Sequence, residues 1–179
     1  MGRPHQGGAD FAILNSPGLM MPSVFEKSSE FACSADELFA LYADPEFQRS
    51  KAIALGATAA ACVIEQATKE YVVIRLETTR PSFGGRREEF ATMRMELDRV
   101  TRGSSWIQTV RGHERRARVE GTSTVSELSG NRARLTVEGS IDIRIPLFGR
   151  IIEGKILGAI EGIADREAAF IRAQLAARL

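Results

Sequence analysis

The C-terminal end of the chain limits the possible folds more than any other segment. After Pro146, the sequence predicts a single helix from about Phe148 to Arg178. Such a helix is roughly 45 Å long at 1.5 Å per residue. Its apolar side chains form a broad stripe in projection, and this stripe needs an apolar surface to cover it. The preceding chain therefore has to supply that surface.

The segment before Pro146 predicts one strand of this surface, because polar and apolar residues alternate along it. Arg134, Thr136 and Glu138 lie on the polar face, and Gly139 predicts a bend or bulge. A strand with one dry and one wet face is typical of an antiparallel sheet. The apolar face consists of Ala133, Leu135, Val137, Ile141, Ile143 and Ile145.

Five earlier segments also have the composition and spacing of strands. Residues 88–100 fit both an alternating strand and a helical face, so their periodicity leaves the two assignments open. The five predicted strands are Ser23–Ala32, Ala57–Gln66, Tyr71–Thr79, Ser104–Val110 and Ala117–Leu128.

Two short helices are predicted between the first two strands. Ser34 and Glu37 have the spacing of a capping box at the start of a helix over Ala35–Ala43. An Asp-Pro pair at 44 and 45 starts a second helix that runs to about residue 55. The order of elements predicts an α+β fold in which a curved antiparallel sheet wraps around the long C-terminal helix.

The composition is typical of one compact domain. The chain has 179 residues, a net charge of +1 and 26% charged residues. We expect the domain to span residues 22–179, with residues 1–21 either a disordered tail or a misassigned start. Cys33 and Cys62 cannot form a disulfide framework, which favours a cytoplasmic location. The longest apolar run, Ala52–Ile64, is too short to cross a bilayer, so no integral membrane segment is expected.

The sequence contains few residues suited to binding a metal ion or a nucleic acid. His113 is the only histidine outside the N-terminal stretch, so a multi-histidine metal site is excluded and no metal or cofactor is expected. The basic cluster Arg111–Arg118 lacks the interleaved aromatic residues that stack on bases, so we expect no nucleic-acid partner. No catalytic residue is assigned.

Three segments carry a resemblance to a known superfamily. They are ADPEF at Ala43–Phe47, VTRGSSW at Val100–Trp106 and IPLFGRIIE at Ile145–Glu153. With the order of elements, they make Pro22–Leu179 resemble the helix-grip fold of the START-like (SRPBCC) superfamily, and most of all an uncharacterised bacterial START-like family. The resemblance implies a hydrophobic cavity between the sheet and the last helix. It does not imply a reaction.

Apolar residues of the last helix and of the facing strand are the candidate ligand contacts. A cavity that they line would suit an acyl chain, a terpenoid or a flat aromatic molecule. The alternative is that they form an ordinary packed core. The candidates are Ile152, Ile156, Ile160 and Ile163 on the helix, Leu135, Val137, Ile141 and Ile143 on the strand, and Trp106 and Tyr71 elsewhere.

Two carboxylates lie within the apolar stripe of the predicted helix. A buried carboxylate must be paired, hydrogen-bonded or protonated. Glu153 is either a polar anchor for the head group of a ligand or one half of a structural salt bridge, and Glu167 is assigned the structural role. The candidate partners for such a bridge are Arg75, Arg94 and Arg102.

Three functions are compatible with these sequence features. The first is non-catalytic binding or carriage of a hydrophobic small molecule or lipid. The second is a cyclase or aromatase reaction in the same cavity, with Glu153 or Tyr71 in acid–base roles. The third is an interaction module whose interior is filled by side chains. The presence of a cavity of about 300 Å³ or more would separate the third function from the others. The sequence leaves the oligomeric state open.

Overall fold

A computed structural model describes residues 22–82, 87–144 and 149–178. Residues 1–21, for which the sequence predicts a tail or a misassigned start, lie outside the described residues. Ile145 and Phe148 also lie outside them. None of the helices within the described ranges combines the length and the apolar character that a membrane crossing requires.

Within the described residues, seven antiparallel strands form one sheet in the order β1-β7-β6-β5-β4-β3-β2. Helices α1 and α2 follow the first strand, and α3 follows the last. The predicted α+β fold, with a curved sheet around a long C-terminal helix, is confirmed. The strands are β1 (Ser23–Phe31), β2 (Ala59–Ala67), β3 (Tyr71–Pro81), β4 (Glu88–Asp98), β5 (Gly103–Val110), β6 (Ala117–Leu128) and β7 (Arg132–Ile143), and the helices are α1 (Ala35–Tyr42), α2 (Pro45–Ala54) and α3 (Gly149–Ala176).

The segment that periodicity left ambiguous is strand β4. It pairs with β3 on one side and with β5 on the other, so tertiary hydrogen bonds decide its conformation. Met95 and Leu97 are buried, whereas Arg94 and Glu96 between and beside them are exposed. The alternating pattern is therefore the one that the fold uses.

Both short helices begin as predicted. The backbone N–H of Glu37 donates to Ser34 Oγ over 3.2 Å, and Glu37 Oε2 accepts from the backbone N–H of Ser34 over 2.8 Å. Asp44 caps α2 by accepting from the backbone N–H of Glu46 over 2.9 Å, and Pro45 occupies the first helical position. Each cap satisfies a backbone N–H group in the first turn of its helix and so stabilises the helix start.

Two facing glycines make room for two aromatic rings on the sheet. Gly121 of β6 pairs with Gly139 of β7, and their outer neighbours across the strands are Trp106 and Phe25. A Cβ on Gly121 would collide with the Glu138 carbonyl oxygen, and one on Gly139 would lie 2.5 Å from the Phe25 ring. The pairing runs through Gly139 without a register shift, so this residue does not form the bulge that the sequence left open.

Replacing Gly121 with alanine should destabilise the fold, because the new Cβ would collide with a backbone carbonyl that cannot rotate away. We expect the free energy of unfolding to fall by about 3 kcal/mol, which is typical of overpacking at a rigid site. Urea denaturation would measure it. Gly158→Ala is the matched control, because nothing lies within 4 Å of a Cβ at this position of α3. This substitution should raise the free energy of unfolding by about 0.5–1 kcal/mol, since alanine favours the helix more than glycine does. Equal stabilities for the two variants would contradict this steric explanation.

Candidate functional site

A cavity of about 280 Å³ lies between the sheet and α3. Its wall includes side chains from six of the seven strands and from all three helices of the described chain. The volume is just below the roughly 300 Å³ at the lower end of small-molecule pockets. Side chains therefore do not fill the interior of this fold.

Most of the cavity wall is apolar, and sequence periodicity predicts a large part of it. Leu135 and Val137 face inward because alternate residues of a strand share one face. Ile156, Ile160 and Ile163 recur at helical spacing on the stripe of α3 that faces the sheet. Phe25, Phe31, Leu76, Met93, Met95 and Trp106 contribute the larger apolar surfaces of the strands.

Five of the predicted ligand contacts lie outside this wall, namely Tyr71, Ile141, Ile143, Ile152 and Glu153. Tyr71 has the opposite parity from Leu76, which faces the cavity, so its side chain points to the other face of β3. There its hydroxyl accepts a hydrogen bond of 2.6 Å from Gln66 Nε2. Ile141 and Ile143 are buried near the end of β7 as core residues.

Glu153 is held by the protein itself. Its side chain is buried, with 7% exposed, and its Oε2 accepts from Ser23 Oγ over 3.0 Å. Its Oε1 accepts from the backbone N–H of Ile143, also over 3.0 Å. The predicted arginine partners do not reach it, because they pair with Glu65 and Asp36. In this arrangement the carboxylate connects the first turns of α3 to β1 and β7.

Glu167 lies in the cavity wall at the centre of a buried polar cluster. Lys51 Nζ lies 2.8 Å from Glu167 Oε1, and the Tyr42 hydroxyl donates to the same oxygen over 3.1 Å. The Lys51 ammonium also lies 4.4 Å from the centre of the Tyr42 ring. The structural role predicted for Glu167 therefore has a lysine of α2 as its partner, and not an arginine of the sheet.

Electrostatics fix the protonation of this cluster. Burial, and then repulsion from Glu167, raises the pKa of Tyr42 to about 12. Burial alone would lower the pKa of Lys51, but the adjacent Glu167 carboxylate and Tyr42 raise it above its ordinary value. At neutral pH Lys51 is therefore an ammonium and Tyr42 a neutral phenol.

Sequence reasoning missed several polar residues of the wall. Lys27 and Ser29 share the inner face of β1 with Phe25 and Phe31, and parity along the strand would have identified them. Arg80 shares its parity with Leu76 on β3 in the same way. The other polar residues that the sequence did not assign to the wall are Tyr42, Gln48, Lys51 and Gln108.

Removal of one charge of the Lys51–Glu167 pair should lower the free energy of unfolding more than removal of both charges. Lys51→Met leaves the Glu167 carboxylate without its ammonium, and we expect a loss of about 3 kcal/mol. Adding Glu167→Gln removes the unpaired charge, so the double variant should be more stable than the sum of the two single effects predicts. Urea denaturation of the four proteins would measure the coupling, and additive effects would contradict the pairing.

Glu153→Ala should lower stability without weakening ligand binding. It leaves the backbone N–H of Ile143 unpaired in the interior, which costs about 1–3 kcal/mol. Thermal or urea unfolding would measure the loss, and titration with the neutral dye Nile red would measure binding. The exposed Glu96→Ala on β4 is the control. A large loss of dye affinity with unchanged stability would instead indicate that Glu153 orients the ligand.

Known structures share this fold at low sequence identity. An aromatase/cyclase, Zhui from Streptomyces sp. R1128, superimposes with a TM-score of 0.64 and 16% identity, covering 86% of this chain and 93% of that one. A START superfamily protein from Mycobacterium smegmatis gives 0.60 and 13%, covering 85% and 98%. Norcoclaurine synthase from Thalictrum flavum gives 0.58 and 18%, covering 96% and 95%.

The sequence comparisons identify the family. A search of functionally curated proteins found no match. Residues 26–175 match the family described as "Protein of unknown function (DUF2505)". This range contains nearly the whole sheet and almost all of α3. The expected START-like fold is confirmed by the solved structures, and the chain belongs to the DUF2505 family.

Proposed function

We propose that the protein binds and carries a hydrophobic small molecule or lipid in the cavity between the sheet and α3. The observation that carries this proposal is the cavity of about 280 Å³ with a predominantly apolar wall. Burial of an apolar ligand there would contribute about 25 cal/mol for each Å² removed from water. The ligand contacts that we propose are Trp106, Leu135, Val137, Ile156, Ile160 and Ile163, which all lie in the wall.

The polar groups of the wall favour carriage over catalysis. A general acid or base works best when its pKa lies near the working pH. The pKa of Tyr42, raised to about 12, is far from neutral pH, and the Tyr42 hydroxyl already donates to Glu167. Lys51 is held as an ammonium by the same carboxylate. These groups therefore support the wall without being free to exchange protons with a substrate.

A cyclase or aromatase reaction is the second candidate function. It is favoured by the aromatase/cyclase and norcoclaurine synthase among the proteins of this fold. Native mass spectrometry of protein purified from its own host would separate the two functions. A lipid that co-purifies unchanged supports carriage, whereas a polyketide-like substrate that is converted would support catalysis.

The single tryptophan of the chain provides a direct assay. Trp106 lies in the cavity wall, so its fluorescence should change when a molecule enters the cavity. We expect saturable changes on titration with decan-1-ol, a neutral ligand with an apolar chain. A fluorescence signal that rises linearly without saturation would contradict the proposal.

Filling the cavity with a larger side chain should weaken ligand binding. Ala164 lies in the wall, so Ala164→Phe should place a ring in the cavity and weaken the binding of Nile red about tenfold or more. Ala169→Phe is the matched control because Ala169 is exposed on the same helix, and its effect should stay below about twofold. Fluorescence titration measures both affinities. Equal affinities of the two variants for Nile red would indicate that the dye binds outside the cavity.

A further inference from the structure

Two polar atoms in the cavity wall lack partners. Among the described residues, four buried side-chain atoms have no hydrogen-bond partner, and two of them, Arg80 Nε and Gln48 Oε1, belong to residues that line the cavity. An unsatisfied buried donor or acceptor costs about 1–3 kcal/mol. Both atoms are fully buried and do not face the open space of the cavity, so a ligand can meet Arg80 only at the rest of its guanidinium and does not reach Gln48 Oε1. Arg80 is therefore the residue of the wall that indicates the polarity of the ligand.

Arg80 is a cation without a counter-charge in the described part of the chain. It lies near the end of β3 with its side chain half-buried. Glu89 lies opposite it in the register of β4, but Glu89 is exposed and the two residues form no ion pair. Burial, and then repulsion from Arg166 of α3, lowers the pKa of Arg80. An arginine nevertheless stays protonated at neutral pH.

The other charges of the wall leave Arg80 uncompensated. The charged members of the wall are three cations, Lys27, Lys51 and Arg80, and one carboxylate, Glu167. Lys51 and Glu167 neutralise each other at 2.8 Å. Within the described residues, no second carboxylate of the wall is therefore left to pair with Arg80. A neutral hydrocarbon in the cavity would leave the positive charge of Arg80 without a partner.

We propose that the ligand is an amphipathic carboxylic acid whose carboxylate pairs with Arg80 while its apolar body lies against the isoleucines of α3. This inference rests on the proposed function and specifies its ligand class. A guanidinium presents two parallel N–H donors that match the two oxygens of a carboxylate.

The test compares two probes that differ in charge. Decanoate and decan-1-ol share one chain length, and Trp106 fluorescence reports the binding of each. In the unmodified protein at low salt, decanoate should bind about tenfold tighter than decan-1-ol. Arg80→Met should weaken decanoate binding by about 10–100-fold, as loss of a hydrogen bond to a charged group predicts, and change decan-1-ol binding less than twofold.

Arg75→Met is the matched control for this variant. Arg75 lies on the same strand with the opposite parity, where it pairs with Glu65 and Glu77 on the other face of the sheet. The control removes the same charge from the protein, so it should leave decanoate affinity within about twofold. Arg80→Lys keeps the charge and should retain part of the preference for decanoate. This variant and the two-probe comparison in the unmodified protein keep the test valid if Arg80→Met fails to fold.

Three results would overturn the inference. They are tighter binding of decan-1-ol than of decanoate by the unmodified protein, equal loss for both probes in Arg80→Met, and the same loss of decanoate affinity in Arg75→Met. If decan-1-ol and Nile red bind but decanoate does not, the inference fails and the proposed function stands. If none of the three binds, the proposed function itself fails.

Discussion

One oxygen of Glu167 joins the three helices of the described structure. It accepts from the Tyr42 hydroxyl at the end of α1 and from the Lys51 ammonium of α2, and it belongs to α3. The pair is largely withdrawn from water, so removal of one charge would leave the other in a poorly solvating interior. Because α1 and α2 are short, they need such a tertiary contact to keep a defined position. The same contact closes one part of the cavity wall, since all three residues line it.

Local patterns predicted the parts of the fold that depend on local forces. The Ser34–Glu37 capping box and the alternation of β7 both rely on neighbours a few residues apart, and both are present. Strand β4 resisted prediction because its apolar spacing fits two periods, and hydrogen bonds from β3 and β5 decide between them. The Lys51–Glu167 pair joins residues 116 positions apart, so no local pattern indicates it.

The candidate site was predictable to the extent that it is apolar. Of the residues that periodicity selected on α3 and β7, the cavity wall contains Ile156, Ile160, Ile163, Leu135 and Val137, because burial selects for apolar residues at regular spacing. The same spacing also selected Ile152, Ile141 and Ile143, which lie outside the wall. Arg80 was missed although it shares its parity with Leu76 on β3, because a basic residue near the end of a strand is usually solvated and was not considered as part of the wall. Glu153 stood out in the sequence because it interrupts an apolar stripe, yet the same interruption arises when a carboxylate binds backbone and hydroxyl donors.

Among the polar groups of the interior, the two carboxylates that interrupt the apolar stripe of α3 hold the fold. Glu153 and Glu167 obtain their hydrogen bonds from the protein, so their burial is compensated without any bound molecule. An unpaired buried atom does not by itself mark a ligand site, since Ser104 Oγ and Ser123 Oγ also lack partners in the described chain and lie outside the cavity wall. Arg80 differs from them because it lines the cavity and carries a positive charge that no carboxylate of the described wall balances. Its place in the wall, together with that charge, therefore makes Arg80 the group whose replacement tests for an anionic ligand.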